Sequence, residues 1–269
     1  MTTLAYTLTD SSTLLRRNLR RLLRYKSLVF LQISMPIIFL LLFAFVFGGQ
    51  LSNGLGPALS GGHTGRTGYL TYITPGILLI TIGGAVQGTA IVVAMDMTGG
   101  IIDRLRTMAI ARSAVLTGHV VASLIQTAVS LVVVLAVSVA LGFRPTAGPV
   151  EWLAAAGVLI LFGFALTWLA TALGLAAASV ETASNTPMIL LLLPFLSSAF
   201  VPTSTLPAGL RQFAEYQPFT PVTETVRGLL TGTPIGHDGI TAVAWSVGIA
   251  ALSYLWARRL YRTRRPRSS

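Results

Sequence analysis

Residues 28–47 read LVFLQISMPIIFLLLFAFVF, a run of 20 residues without one charged side chain. A helix needs about 20 apolar residues to cross the hydrocarbon core of a membrane. The composition of the 269-residue chain agrees, because 53% of its residues are hydrophobic, 10% are charged and the mean hydropathy is +0.75. A soluble domain carries about 25% charged residues. The sequence therefore predicts an integral membrane protein and excludes a soluble enzyme and a disordered chain.

Further apolar stretches along the chain predict five more spans, in one all-α transmembrane domain over 1–269. With the first span at 28–47, the others are predicted at 69–94, 114–141, 152–180, 186–201 and 239–257. Six spans place both termini on one side of the membrane.

The basic side chains predict which side that is. The 19 Lys and Arg residues, except Arg66, Arg144, Arg211 and Arg227, lie before the first span, between spans two and three, or in the tail at 258–269. Basic segments stay on the cytoplasmic side because their translocation is unfavourable. We therefore expect a multi-pass protein with both termini in the cytoplasm. The single lysine among many arginines is typical of a GC-rich bacterial genome and indicates a bacterial plasma membrane.

Sequence signals of catalysis are missing. With no cysteine there is no thiolate site, and the three histidines, His63, His119 and His237, lack the spacing of metal ligands. His119 is predicted to be a packing or interfacial residue. No phosphate-binding loop precedes the only lysine, Lys26. We expect no catalytic residue, metal or cofactor in this chain, and any ATP must bind to another polypeptide.

Two basic segments have the pattern of amphipathic helices. Over 10–26, leucines recur along one stripe with arginines largely off it, which favours a helix lying in the headgroup plane over a plain basic flank. In the loop 95–112, Ile101, Ile102, Leu105 and Met108 recur at helical spacing. This second helix either docks on a soluble partner or is a connecting loop that rests on lipid. The residues alone leave both open.

The segment 190–227 reads LLLLPFLSSAFVPTSTLPAGLRQFAEYQPFTPVTETVR, and its prolines cannot lie within one straight helix. Leu206, Leu210 and Phe213 predict a short helix after a break at Pro202 or Pro207, with Arg211 and Glu215 paired one turn apart. Irregular backbone at membrane depth must be shielded by protein or face water. Re-entrant half-helices over 202–235 meet this need. The alternative is a kinked span followed by an ordinary external loop.

Taken together, these motifs resemble ABC-2 type exporter permeases, with most likeness to the daunorubicin/doxorubicin-resistance branch. The likeness follows nearly the whole chain in element order. The residues that carry it are Pro194 to Pro202, Leu206-Pro207, Pro218, Thr220, Glu224, Arg227, Tyr72-Ile-Thr-Pro75-Gly76 and Asp96…Gly100…Asp103-Arg104-Leu105-Arg106. This sequence departs from the family at Met97 and Thr98, where a basic–acidic pair is frequent, and at Gln217, where asparagine is usual.

The resemblance implies partners and residue roles. It implies two copies of an ATP-binding subunit, which bind ATP and Mg, and a second permease, expected to be a copy of this chain. The helix at 10–26 corresponds to the family's interfacial helix. The residues that the resemblance implies for coupling to the ATP-binding subunit are Asp96, Gly100, Ile101, Ile102, Asp103, Arg104, Leu105, Arg106 and Met108. The residues that it implies for a re-entrant gate are Pro194, Pro202, Leu206, Pro207, Pro218, Glu224 and Arg227.

The predicted function is that of the membrane subunit of an ATP-driven exporter of an amphipathic drug, antibiotic or lipid-like molecule. Its expected partners are the lipid bilayer, the ATP-binding subunit and the second permease. We expect no nucleic-acid partner. Gln32, Phe39, Phe43 and Gln87 are candidates for the substrate path. Two alternatives remain: an ion-gradient-driven secondary transporter or channel, which the lack of charge within the spans disfavours, and a membrane scaffold without transport.

Overall fold

The computed structural model describes residues 26–48, 65–99 and 112–263, and the regular structure among these residues is helical, with no strand. The all-α prediction is confirmed for this part of the chain. The predicted interfacial helix, apart from Lys26, and residues 100–111 lie outside the described residues.

The described helices are, in chain order, α1 (Lys26–Leu41, continued by a π-helix over Leu42–Phe47), α2 (Gly65–Thr98), α3 (Arg112–Leu141), α4 (Pro149–Ala176), α5 (Val180–Asn185), α6 (Met188–Leu192), α7 (Ala208–Tyr216), α8 (Phe219–Thr231) and α9 (Asp238–Thr263). Short 3-10 turns lie at Leu193–Leu196 and Thr203–Thr205.

Four of these helices are long and apolar enough to cross a membrane: Gly65–Thr98, Leu116–Leu141, Pro149–Ala176 and Asp238–Tyr261. They correspond to the predicted spans two, three, four and six. Predicted spans one and five fall on the shorter apolar stretches Gln32–Val46 and Val180–Leu196. The protein is thus a multi-pass helical membrane protein, and the count of six spans stays a prediction.

Several helix ends differ from the predicted span ends. α2 continues to Thr98 and α9 to Thr263, four and six residues beyond the predicted ends. Met95–Thr98, predicted to open the loop at 95–112, therefore belong to α2. Hydropathy locates the part of a helix that lies in hydrocarbon, whereas the backbone hydrogen bonds continue beyond it.

The fourth helix begins and ends earlier than the predicted span 152–180. α4 ends at Ala176, and Ala177 has extended backbone. The Ser179 side chain accepts a hydrogen bond from the Thr182 N–H at 3.2 Å and caps a new helix, α5. The fifth predicted span, 186–201, accordingly begins at Val180. It is divided at Pro187 and loses its α-helical form at Leu193.

The second helix is the centre of the bundle. With 34 residues, α2 is about 51 Å long, against a hydrocarbon core of about 30 Å. It packs against α1, α3, α4, α5 and α8, and its side chains are buried along most of its length. The outside of the bundle carries large exposed apolar side chains, such as Leu153 on α4 and Trp245 and Leu252 on α9. An exposed apolar surface of this kind is typical of helices that face lipid.

Candidate functional site

Residues 193–231, which begin within the fifth predicted span and end before the last, form short helices and turns. We call them the broken segment. Each proline of this segment lies at a helix start or in a tight turn, where its missing N–H is tolerated. Pro194 lies in the first 3-10 turn, and Pro202, Pro207 and Pro218 immediately precede the second 3-10 turn, α7 and α8. The predicted short helix after Pro207 is confirmed as α7, and so is its pair of Arg211 Nε and Glu215 Oε1 at 2.8 Å.

Arg227 of α8 fastens the broken segment to α2. Its side chain is only 4% exposed. Nε and Nη2 donate to the Tyr72 carbonyl oxygen at 3.3 and 3.2 Å, and Nη2 also donates to the Ser198 carbonyl oxygen at 2.8 Å. Nη1 donates to Glu224 Oε1 one turn earlier on α8. We call Arg227, Glu224, Tyr72 and Ser198 the Arg227 cluster.

Tyr72 contributes more than its carbonyl to the Arg227 cluster. The guanidinium carbon of Arg227 lies 3.9 Å from the centre of the Tyr72 ring, which is a cation–π contact. The Tyr72 hydroxyl donates to the same Ser198 carbonyl oxygen at 2.9 Å. The cluster therefore joins α2, the turn at 197–200 and α8, and it holds a buried cation through ionic, aromatic and carbonyl partners at once.

A close approach of backbones positions the turn at 197–200 on α2. A Cβ added at Gly76 would lie 2.6 Å from the Ala199 Cβ and 3.0 Å from its carbonyl oxygen. No real Cβ contact is that short, so only glycine permits this approach. Gly76 is one turn from Tyr72 on α2, and the glycine contact and the Arg227 cluster thus hold the same turn.

Two polar side chains near the start of α8, Gln217 and Thr220, form hydrogen bonds with backbone groups at 193–198. The Gln217 Nε2 donates to the carbonyl oxygens of Leu193 at 3.0 Å and Leu196 at 2.6 Å. The Thr220 hydroxyl accepts from the Ser198 N–H at 3.3 Å and donates to the Ala214 carbonyl oxygen. Carbonyls released by a broken helix need such donors when water is excluded.

The predicted gate residues thus divide into two groups. Glu224 and Arg227 meet in the Arg227 cluster, and the Pro194 carbonyl accepts from the nearby Ser197 hydroxyl at 2.6 Å. Pro202 and Leu206 are half-buried and Pro207 is exposed, in the turns that lead into α7. Pro218 is half-buried at the start of α8.

The four predicted substrate-path residues occupy three places. Phe39 and Phe43 belong to an aromatic cluster with Phe195 and Phe200, in which the Phe43 and Phe200 rings stack at 4.7 Å and the Phe195 and Phe200 rings at 5.0 Å. The Phe39 ring meets the Phe195 ring edge-on at 5.5 Å. The cluster joins the π-helical end of α1 to the broken segment.

The two predicted glutamines lie elsewhere. Gln32 Oε1 accepts from Gln126 Nε2 of α3 at 2.6 Å. Gln87 Nε2 donates to the Ser184 carbonyl oxygen of α5 at 3.1 Å. The predicted substrate-path residues Gln32, Phe39, Phe43 and Gln87 therefore do not form one continuous lining.

Of the predicted coupling residues, only Asp96 is described; Gly100, Ile101, Ile102, Asp103, Arg104, Leu105, Arg106 and Met108 lie outside the described residues. Asp96 is buried in the last turn of α2. Its Oδ2 lies 3.3 Å from His119 Nε2 of α3. The predicted loop at 95–112 includes Asp96, and nothing in the sequence indicates its contact with His119.

Sequence reasoning also missed the roles of Ser198, Tyr72 and Gln217 as hydrogen-bond partners. One signal was present: Glu224 and Arg227 are three residues apart on a short helix, which allows the pair. Their long-range partners have no such signal, since Tyr72 and Arg227 are 155 residues apart in the sequence.

Comparison with known proteins gives consistent matches. The family model described as ABC-2 type transporter matches residues 9–231. The chain is 30% identical over 233 residues to the daunorubicin resistance ABC transporter permease protein DrrB1 of Streptomyces coeruleorubidus, covering 86% of this chain and 78% of that protein. It is 27% identical over 178 residues to the "Probable doxorubicin resistance ABC transporter permease protein DrrC" of Mycobacterium tuberculosis, covering 65% of this chain and 64% of that protein.

Proposed function

Because this chain belongs to the ABC-2 type transporter family and is a membrane subunit of that class, we propose that it exports an amphipathic drug, antibiotic or lipid-like molecule across a bacterial plasma membrane. The observation that carries the proposal is the Arg227 cluster, which fastens the broken segment over one end of the central helix. Such a closure can act as a gate, since the broken segment is held to α2 by a small set of polar contacts and one glycine approach.

The energy source lies in a partner. We propose two ATP-binding subunits that hold ATP and Mg, and a second copy of this chain completing the membrane pathway. The loop at 99–111, between α2 and α3, is the proposed contact with the ATP-binding subunit. Its predicted amphipathic pattern offers an apolar face, around Leu105, that a soluble groove can bury.

The orientation follows from the charges. With basic segments retained in the cytoplasm, both termini and the loop at 99–111 face the ATP-binding subunits. The broken segment then lies toward the outer surface, at the opposite end of α2. Closure of the ATP-binding subunits moves the inner end of α2, and the Arg227 cluster releases or holds the outer end.

The proposed cargo site involves the aromatic cluster. Phe39 and Phe195 are partly exposed beside the stacked Phe43 and Phe200 rings, and aromatic rings in this arrangement can stack with a planar aromatic ligand. The names of the two relatives refer to daunorubicin and doxorubicin resistance, so daunorubicin is a suitable probe. A ligand changes the gate only if it binds one state more tightly than the other.

The test uses the full chain, purified with its ATP-binding subunit and reconstituted in liposomes containing anionic lipid. We expect daunorubicin transport that requires ATP and persists when ionophores dissipate proton and sodium gradients. Transport by this chain alone, driven by an ion gradient without nucleotide, would overturn the proposal and support a secondary transporter. Replacement of Phe39 by alanine should weaken daunorubicin binding, while Phe164, which is exposed on α4, provides the matched control.

A further inference from the structure

A buried acid–imidazole contact joins the two helices that flank the loop at 99–111. His119 Nε2 lies 3.3 Å from Asp96 Oδ2, and the side chains are 8% and 2% exposed. Asp96 lies two residues before the end of α2, and His119 lies seven residues after the start of α3. We call these two residues the stem pair, because they connect the two helices that precede and follow that loop.

Apolar packing already holds these helix ends together, so stability alone does not explain the stem pair. Val93 of α2 and Leu116 and Val120 of α3 belong to a buried apolar cluster that Trp168 of α4 and Tyr261 of α9 complete. Burying an ionisable pair removes both groups from water, and apolar side chains of similar volume are often as stabilising. A polar contact also selects one axial register of the two helices, because its hydrogen-bond geometry is satisfied in that register alone.

Polar side chains continue from His119 along the same face of α3. Ser123, Gln126 and Ser130 follow His119 by four, seven and eleven residues, which places them on one side of the helix. This row extends about 16 Å along α3, roughly half the hydrocarbon thickness. We call Ser123, Gln126 and Ser130 the polar seam.

The polar seam connects α3 to two other helices. Near the stem pair, the Ser123 hydroxyl is hydrogen-bonded to the Thr89 hydroxyl of α2. Farther along, Gln126 Nε2 donates to Gln32 Oε1 of α1 at 2.6 Å, and Gln32 Nε2 donates to the Ser130 hydroxyl at 3.5 Å. A shift of α3 against α2 breaks the first contact, and a shift of the α2–α3 hairpin is transmitted to α1 through Gln32.

We infer that Asp96 and His119 are positioning residues that fix the register of α2 and α3, so that both helices and the loop between them move as one body. The polar seam passes that movement to α1, which carries Phe39 and Phe43 of the aromatic cluster. This inference rests on the proposed coupling role of the loop at 99–111. It adds His119, Ser123 and Gln126 as the residues through which the loop acts on the membrane helices.

The first experiment measures daunorubicin moved per ATP hydrolysed by the reconstituted complex. The variants are Asp96→Asn, His119→Gln and the exchange Asp96→His with His119→Asp. We expect each single variant to lower the transport-to-hydrolysis ratio about tenfold, within the range of residues that modulate coupling, and the exchange to restore most of it. Thr171→Val is the control, because its buried hydroxyl bonds only the Thr167 carbonyl within α4 at 2.9 Å.

The second experiment tests the single moving body directly. Because this chain has no cysteine, Thr89→Cys with Ser123→Cys places two thiols where two hydroxyls are in contact. We expect the oxidised, cross-linked complex to keep the transport-to-hydrolysis ratio of its reduced form. A cross-link that blocks transport means that α2 and α3 slide past each other, which overturns the inference. The oxidised wild-type complex controls for cysteines of the partner subunit.

The outcomes separate this inference from the proposed function. Absence of ATP-dependent transport by the wild-type complex rejects the proposed function before any variant is compared. A coupled wild type with normal ratios in Asp96→Asn and His119→Gln rejects only the positioning role. Equal loss of transport and hydrolysis that the exchange does not restore also rejects it, since that result indicates lost assembly.

Discussion

Two buried polar contacts on the central helix are built in different ways. At Tyr72, near the start of α2, the Arg227 guanidinium donates to backbone carbonyls and to Glu224. At Asp96, 24 residues and about 36 Å farther along the helix, a carboxylate meets the imidazole of His119. The separation slightly exceeds the hydrocarbon thickness of about 30 Å, which is the distance expected between contacts at opposite surfaces of a membrane.

The difference follows from the state of the backbone. Around Ser198 the helix has ended, and its carbonyl oxygen needs donors from elsewhere. Arginine provides five N–H groups in a rigid plane, which suits a site with several carbonyl acceptors. The contact between Asp96 and His119 instead joins two side chains, one in the last turn of α2 and one within α3. A contact between side chains of two helices fixes the position of one helix against the other.

The largest effect is expected from Arg227→Met. It leaves the Ser198 carbonyl and Glu224 without the buried cation, and breaking a buried ionic contact costs about 3–5 kcal/mol of unfolding free energy. Unfolding of the purified chain in mixed detergent, followed by circular dichroism, measures this change.

Arg211→Met is the matched control for Arg227→Met. Arg211 pairs with Glu215 on the exposed α7, and an exposed pair one turn apart contributes about 0.3–0.5 kcal/mol. If the two substitutions cost the same, Arg227 does not hold the broken segment, and the distinction between the two ends of α2 is lost.

The next largest effect concerns the glycine approach. Gly76→Ala forces α2 and the turn at 197–200 apart, and overpacking of this kind costs about 1–3 kcal/mol. Gly88→Ala, on the same helix, meets no atom within 4 Å and should be neutral or slightly stabilising. The unfolding free energies of the two variants are measured and compared, and daunorubicin transport is measured for the Gly76→Ala variant. Equal stability of the two variants would contradict the close contact with Ala199.

Sequence patterns predicted the helical class and the approximate spans because hydrocarbon requires long apolar runs. They placed helix ends less well, since the α2 helix continues to Thr98 after the apolar run ends. They counted Arg227 among the charges of an external segment, although it is buried. Its burial depends on the carbonyl oxygens of Tyr72 and Ser198, and no sequence pattern marks either of them as an acceptor for Arg227. The Asp96–His119 contact was missed for the same reason, since the two residues lie on different helices.

A smaller effect is expected from Tyr72→Phe. The phenylalanine ring keeps its place under the Arg227 guanidinium, and the Ser198 carbonyl keeps its bond from Arg227 Nη2. Only the hydroxyl bond is lost, and a single hydrogen bond contributes about 0.5–1.5 kcal/mol. The same unfolding measurement applies, with Tyr216→Phe, on the exposed face of α7, as the control. A loss as large as that of Arg227→Met would show that the tyrosine hydroxyl, rather than the arginine, holds the turn.

The smallest effect is expected from Ser123→Ala near the other end of α2. The Thr89 hydroxyl keeps its bond to the Ala85 carbonyl at 2.8 Å, so no buried group is left unpaired, and interhelical hydrogen bonds in membranes average about 0.6 kcal/mol. Thr127→Val controls for loss of a hydroxyl that bonds only within α3, to the Ser123 carbonyl. Because the contact fixes register more than it stabilises, Ser123→Ala should lower the transport-to-hydrolysis ratio with little change in unfolding free energy. The reverse result, a large loss of stability with normal coupling, would make the two ends of α2 alike, both serving to hold the fold together.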